Sequence, residues 1–171
     1  MRHWPKYVAL GILLLTTGCA GQASLSDTAP KVHVSIEAAA AWPAGAVQSQ
    51  LKSATRRYAQ CGIRLETHLL KATKPDLPKV RFVASLPPVA GKAVEGRAFD
   101  LDGQSIVEIA WMDASGTALD HRQTLAHELG HVLGLRHTPL HSINLMSPHG
   151  CELCSFTPSQ CDTLRRNMQR L

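Results

Sequence analysis

The chain has 171 residues and carries 18 Lys and Arg against 13 Asp and Glu, a formal net charge of +5. The excess is mild and scattered, with no Lys/Arg run and no basic stripe interleaved with aromatics, which argues against a nucleic-acid partner. No internal repeat is visible, and the length allows one domain with a real core rather than two.

The first thirty residues read as export machinery. Arg2 and Lys6 precede an apolar run, Tyr7 to Leu15, and small residues follow up to Cys19. This is the n-region, h-region and cleavage zone of a secretory signal. The apolar run is shorter than the ~20 residues a helix needs to span a bilayer. Thr16-Thr17-Gly18-Cys19 resembles the lipobox of bacterial lipoproteins, with Thr16 where a Leu is usual. The resemblance implies that residues 1–18 are a signal peptide and that Cys19 is acylated. With Ala20 rather than Asp behind the Cys, it also implies sorting to the outer membrane, facing the periplasm. An ordinary secreted protein cut a few residues later is the alternative. Removal of Arg2 and Lys6 lowers the formal charge to +3. Residues 19–30 are then the lipidated Cys and a small, polar tether, and residues 31–171 the folded domain.

Along that domain, KVHVSIEA (31–38) alternates apolar and polar residues and predicts a strand. From Gly45 to Cys61, Val47, Leu51, Ala54, Tyr58 and Cys61 recur at helical spacing, with Gly62 as the stop signal. IRLETHLL (63–70) and KVRFVASL (79–86) predict two more strands, separated by the loop TKPDLP. GRAFDL and SIVEIAW flank Asp102-Gly103, a strong hairpin signal. A helix is expected over HRQTLAHELGHVLGL (121–135) with Asp120 as its N-cap, and a last helix begins at Thr157-Pro158. The order β-α-β-β-β-β-α, loop, α describes an α+β domain with a mixed sheet.

Besides Cys19 there remain Cys61, Cys151, Cys154 and Cys161. An even count in an exported protein points to two disulfides with three possible pairings. A zinc knot or a redox pair at 151–154 is the alternative, though no strand–CxxC–helix context supports the latter.

The segment HELGHVLGLRH, residues 127–137, carries the chemistry. Residues four apart share a helix face, so His127 and His131 can aim both imidazoles at one ion. A continuous helix would put His137 roughly 9 Å of rise beyond His131. Gly134 can take a positive φ and turn the chain back, bringing His137 round as a third ligand. Glu128 sits ~100° round the helix from His127, beside an open fourth position. Zinc held by three neutral imidazoles lowers the pKa of a water toward ~7. Glu128 can then accept its proton and pass it to a leaving amine. Singly, each His or Glu is ordinary surface or core; the fixed offsets together point to a metal site.

These residues resemble the metzincin zinc peptidases, whose signature is HExxHxxGxxH followed by a Met-turn. Asn144-Leu145-Met146-Ser147-Pro148 matches the Met-turn, and the resemblance implies that Met146 forms an apolar floor under the ligands without coordinating. It also implies the family fold over most of residues 31–171: a twisted mixed sheet of about five strands, a packed helix, the zinc-binding helix and a C-terminal helix. Thr138 after the third His and Pro148 after the Met are most similar to the matrixin-like branch. No Tyr follows the Met-turn to ligate zinc. Neither a PRCGxPD-type propeptide nor the archaemetzincin-type cysteine pattern behind the third His is present.

The implied protein is a metalloendopeptidase with one catalytic Zn2+ held by His127, His131 and His137, and Glu128 as general base. Its partners are a protein or peptide substrate and, through the lipid on Cys19, a membrane; it is expected to be a monomer. By family likeness, Cys151 and Cys154 border the pocket for the residue after the scissile bond, where a disulfide would stiffen the wall. His141 and His149 lie near enough in sequence to steady an oxyanion, though the simpler reading is loop residues. The rival function is a non-catalytic lipoprotein that keeps a structural zinc site and binds a partner protein. The retained Glu128 speaks against it, because structural sites usually close the fourth position with another ligand.

Overall fold

The computed structural model describes residues 25–40, 42–69, 77–119, 122–139, 142–148 and 154–168. The expectations placed on residues 1–24, including Cys19, and on Asp120, His141, His149 and Cys151 lie outside the described residues.

Chain order is β1 (Lys31–Ala38), α1 (Ala44–Gln60), β2 (Arg64–Leu69), β3 (Lys79–Ser85), β4 (Gly96–Leu101), β5 (Gln104–Met112), α2 (Thr124–Val132) and α3 (Pro158–Met168). The α+β architecture with a five-stranded mixed sheet is therefore present. Spatial order is β2-β1-β3-β5-β4. Neighbours pair in parallel except β4, which pairs antiparallel with β5 and forms one edge. The β4–β5 hairpin turns through Asp102 and Gly103, at φ 51° and 79°, the left-handed pair that a two-residue hairpin turn demands.

Alternation along the strands sorts the two faces. Val32, Val34, Ile36, Val80, Phe82, Val107 and Ile109 enter one buried cluster with Tyr58 of α1 and Leu125 and Leu129 of α2. The opposite face carries charge. There Glu37, Arg81, Glu108 and Arg97 lie opposite one another across four strands, and Arg97 binds Glu108 Oε2 through both Nε and Nη2, at 2.8 and 2.6 Å. Such cross-strand pairs help fix register.

The helix expected over 121–135 is shorter at both ends. It begins at Thr124, and Gln123 at the N-cap position makes no side-chain cap bond. The buried Gln50 of α1 supplies the acceptor instead, taking the Leu125 N–H at 3.3 Å. A partner from another helix thus does the job assigned to a local cap, and no periodicity signal reports that. At the other end Gly134, at φ 84°, closes a Schellman motif: Gly134 N donates to His131 O at 2.9 Å and Leu135 N to Gly130 O at 2.8 Å.

α3 braces this frame. A disulfide joins Cys61, just after α1, to Cys161, and Cys154 is disulfide-bonded as well. Asn167 Nδ2 donates to Leu133 O at 2.8 Å, where α2 ends. No helix among the described residues is long and apolar enough to cross a membrane.

Candidate metal centre

α2 presents His127 and His131 one turn apart, and the turn at Gly134 returns the chain so that His137 joins them. The three Nε2 atoms form a triangle with every edge 3.1 Å. Ligands 2.0–2.1 Å from an ion at tetrahedral angles would stand about 3.3 Å apart, so the spacing fits one zinc-sized ion.

Proton bookkeeping makes the fit sharper. His127 Nδ1 lies 2.8 Å from Leu145 O, and His131 Nδ1 lies 2.8 Å from Leu135 O. A carbonyl oxygen can only accept, so both Nδ1 atoms must donate. The neutral rings then carry bare lone pairs on Nε2, and the lone pairs converge. Two such acceptors 3.1 Å apart, on His127 and His131, repel one another unless a cation or a proton of His137 lies between them. Burial and the two neighbouring imidazoles hold His127 down to about 4, although its bond to Leu145 opposes this. Burial and His131 lower His137 as well. Near neutral pH the rings of His127 and His137 are therefore in the uncharged form that ligates metal.

Glu128 is buried, and it lines the same cleft of about 1160 Å³ as the three His. Burial pushes its carboxyl up to about 7. The other wall of the cleft is β4 and the chain leading into it, from Val94 to Ala98. β4 has a strand neighbour on one side only, so one row of backbone N–H and C=O groups faces away from the sheet. Pro148 lines the same cleft.

Met146 is fully buried, and its thioether lies against the backbone of Gly130: a Cβ added there would stand 2.7 Å from Sδ. The turn around it positions His127 and His137 through its backbone. Leu145 O orients His127, and Met146 O accepts the N–H of Thr138, next to His137, at 3.0 Å. Asn144 closes this turn, accepting the Met146 N–H at 2.8 Å. It is gripped by Gln160 of α3 in a reciprocal amide pair, 2.9 Å one way and 3.1 Å the other. Gln160 also closes a capping box with Thr157, accepting the Thr157 N–H at 2.8 Å while its own N–H reaches Thr157 Oγ1 at 3.3 Å.

Among solved structures the chain is similar to archaemetzincin from Methanopyrus kandleri, with a TM-score of 0.57 and 16% identity over 86% of this chain and 100% of that one. The fold is metzincin-like. No family model and no curated protein matches the chain. The neighbour is an archaemetzincin rather than a matrixin.

Several residues that shape the centre carry no signal in a single sequence. Gly96 opens β4 where a Cβ would stand 2.6 Å from Thr124 Cγ2 and 2.9 Å from Glu128 Cγ. Only a glycine lets the strand approach the carboxylate so closely. Gly130 and Gln50 are similar cases. The T-x-x-Q pattern at 157–160 is readable as a capping box, but the grip of Gln160 on Asn144 is not.

Proposed function

We propose that the protein is a zinc-dependent endopeptidase. The observation that carries this reading is the convergence of three Nε2 atoms, two of them on rings whose Nδ1 donates to a carbonyl, beside the buried carboxyl of Glu128. A zinc ion held by His127, His131 and His137 supplies Lewis acidity toward a water and a peptide carbonyl.

The chain's own groups do the rest. The free edge of β4 takes an extended peptide by main-chain hydrogen bonds, which places a backbone carbonyl rather than a particular side chain in the cleft. Carbonyls Leu145 O and Leu135 O keep the Nδ1 protons of His127 and His131, so the ligating nitrogens stay bare. Glu128 accepts the proton that the attacking water gives up. It then returns that proton to the amide nitrogen as the C–N bond breaks, so the product leaves as a neutral amine. A raised carboxyl pKa suits a group that must both take and give a proton.

We further place the chain on the matrixin-like branch, supported by Thr138 and by Pro148 on the cleft wall. We also assign it to the periplasmic face of the outer membrane, as a monomer held by lipid on Cys19, supported by the signal and lipobox pattern.

The full chain loaded with zinc and mixed with a quenched peptide library tests the activity. Cleavage is expected, with loss in chelator. Glu128→Gln is expected to lower turnover by roughly 10²–10⁴-fold while zinc content stays at the parent's level. Turnover unchanged in Glu128→Gln removes the base assignment. A zinc-loaded chain that cleaves nothing in the library supports the non-catalytic binder instead.

A further inference from the structure

At the edge opposite β4, β1 and β2 run parallel with His33 across from Glu66 and Ser35 across from His68. Glu66 and His68, two apart on one strand, point to the same face, and His33 points there from the next strand. This is the charged outer face, turned away from the core that carries α2.

The three side chains gather at a point. His33 Nδ1 lies 3.0 Å from His68 Nε2 and 3.5 Å from Glu66 Oε2, and one ligand atom from each residue falls within 4.8 Å of the others. Lys31 Nζ binds Glu66 Oε1 at 2.9 Å, which leaves Oε2 for the imidazoles. The two rings stack with centroids 5.3 Å apart and planes 24° from parallel. The His33 and Glu66 side chains are 39% and 30% exposed, so water can complete a coordination shell.

We infer that His33, Glu66 and His68 form a second metal site, separate from the cleft, for a divalent first-row ion such as Zn2+. The donor set is two imidazole nitrogens and one carboxylate oxygen. That set suits zinc, copper or nickel, whereas calcium and magnesium take oxygen ligands almost exclusively. An ion here crosslinks edge strand β2 to β1 through side chains. Because β3 and β5 separate this cluster from the edge strand β4, and it lies on the opposite face from α2, its ion takes no part in events at the cleft. This inference is independent of the proposed peptidase activity.

The test counts ions in the full chain, stripped with chelator and dialysed to equilibrium against excess Zn2+. The parent is compared with His33→Gln/His68→Gln and with His127→Gln/His131→Gln. Each double variant is expected to bind one zinc fewer than the parent. In the His127→Gln/His131→Gln background, Cu2+ should give an electron paramagnetic resonance signal with coupling to two nitrogens, and Zn2+ should raise Tm. Both effects should vanish on adding His33→Gln and His68→Gln, while metal-free circular dichroism stays the same. Equal zinc uptake by His33→Gln/His68→Gln and the parent overturns the inference and leaves the cluster as an imidazole–imidazole hydrogen bond. Unchanged uptake in His127→Gln/His131→Gln overturns the catalytic site alone.

Discussion

Replacing Gly134 by Ala tests the turn that brings His137 to the other ligands. Gly134 holds φ at 84°, and a Cβ there would stand 2.5 Å from Asn167 Nδ2. An L-residue in the left-handed region costs about 1 kcal/mol. The amide of Asn167 must also swing away, losing its 2.8 Å bond to Leu133 O, at about 1 kcal/mol more. Gly134→Ala is therefore expected to cost about 2 kcal/mol and Asn167→Ala about 1 kcal/mol. In the double variant the clash has no partner and the bond is lost only once, so the total should be about 2 kcal/mol rather than 3. Urea unfolding in chelator measures these differences free of metal linkage. A competition titration should show weaker zinc binding in Gly134→Ala and in the double variant, but not in Asn167→Ala. Strict additivity, or a Gly134→Ala protein as stable as its parent, refutes this account of the turn.

Three further substitutions probe the frame. Gly130→Ala puts a methyl 2.7 Å from Met146 Sδ and should cost roughly 1–3 kcal/mol, read by thermal unfolding, with the penalty reduced in a Met146→Ala background. Gln50→Ala leaves the Leu125 N–H without its acceptor, and urea titration should show a loss of about 1–2 kcal/mol with zinc stoichiometry unchanged. Cys161→Ser opens a disulfide between residues 100 apart, for which chain entropy gives about 4.7 kcal/mol, checked by comparing denaturation midpoints with and without reductant.

The elements were legible because their periods were clean. β1 and β3 alternate, α1 carries its apolar residues at helical spacing, and Asp102-Gly103 names its own turn. The start of α2 was misplaced because helix-start rules look for a nearby side chain, whereas Gln50 arrives from a helix 75 residues earlier. The convergence of the three imidazoles was readable for a different reason: α-helical spacing and one glycine constrain them within eleven residues, with no tertiary information needed. Strand pairing order is another matter. That β1 lies between β2 and β3 depends on packing α1 and α2 on one face, and no local pattern encodes it.

Those eleven residues are still insufficient to make the centre. They place three nitrogens near one another but do not decide which nitrogen of each ring is bare. Leu135 O decides it for His131 from within the same turn, but His127 depends on Leu145 O, from a segment that Asn144 folds and Gln160 anchors to α3. An unrelated helix carrying the same spacing by chance would lack that second carbonyl, and its first imidazole would be free to present either tautomer. What would separate a ligand triad from three neighbouring histidines here is thus an oxygen eighteen residues away from the ring it holds. An Asn144→Ala protein that kept both zinc affinity and the His127 tautomer, read by nitrogen-15 chemical shifts of the metal-free imidazole, would show that the turn merely packs beneath the ligands.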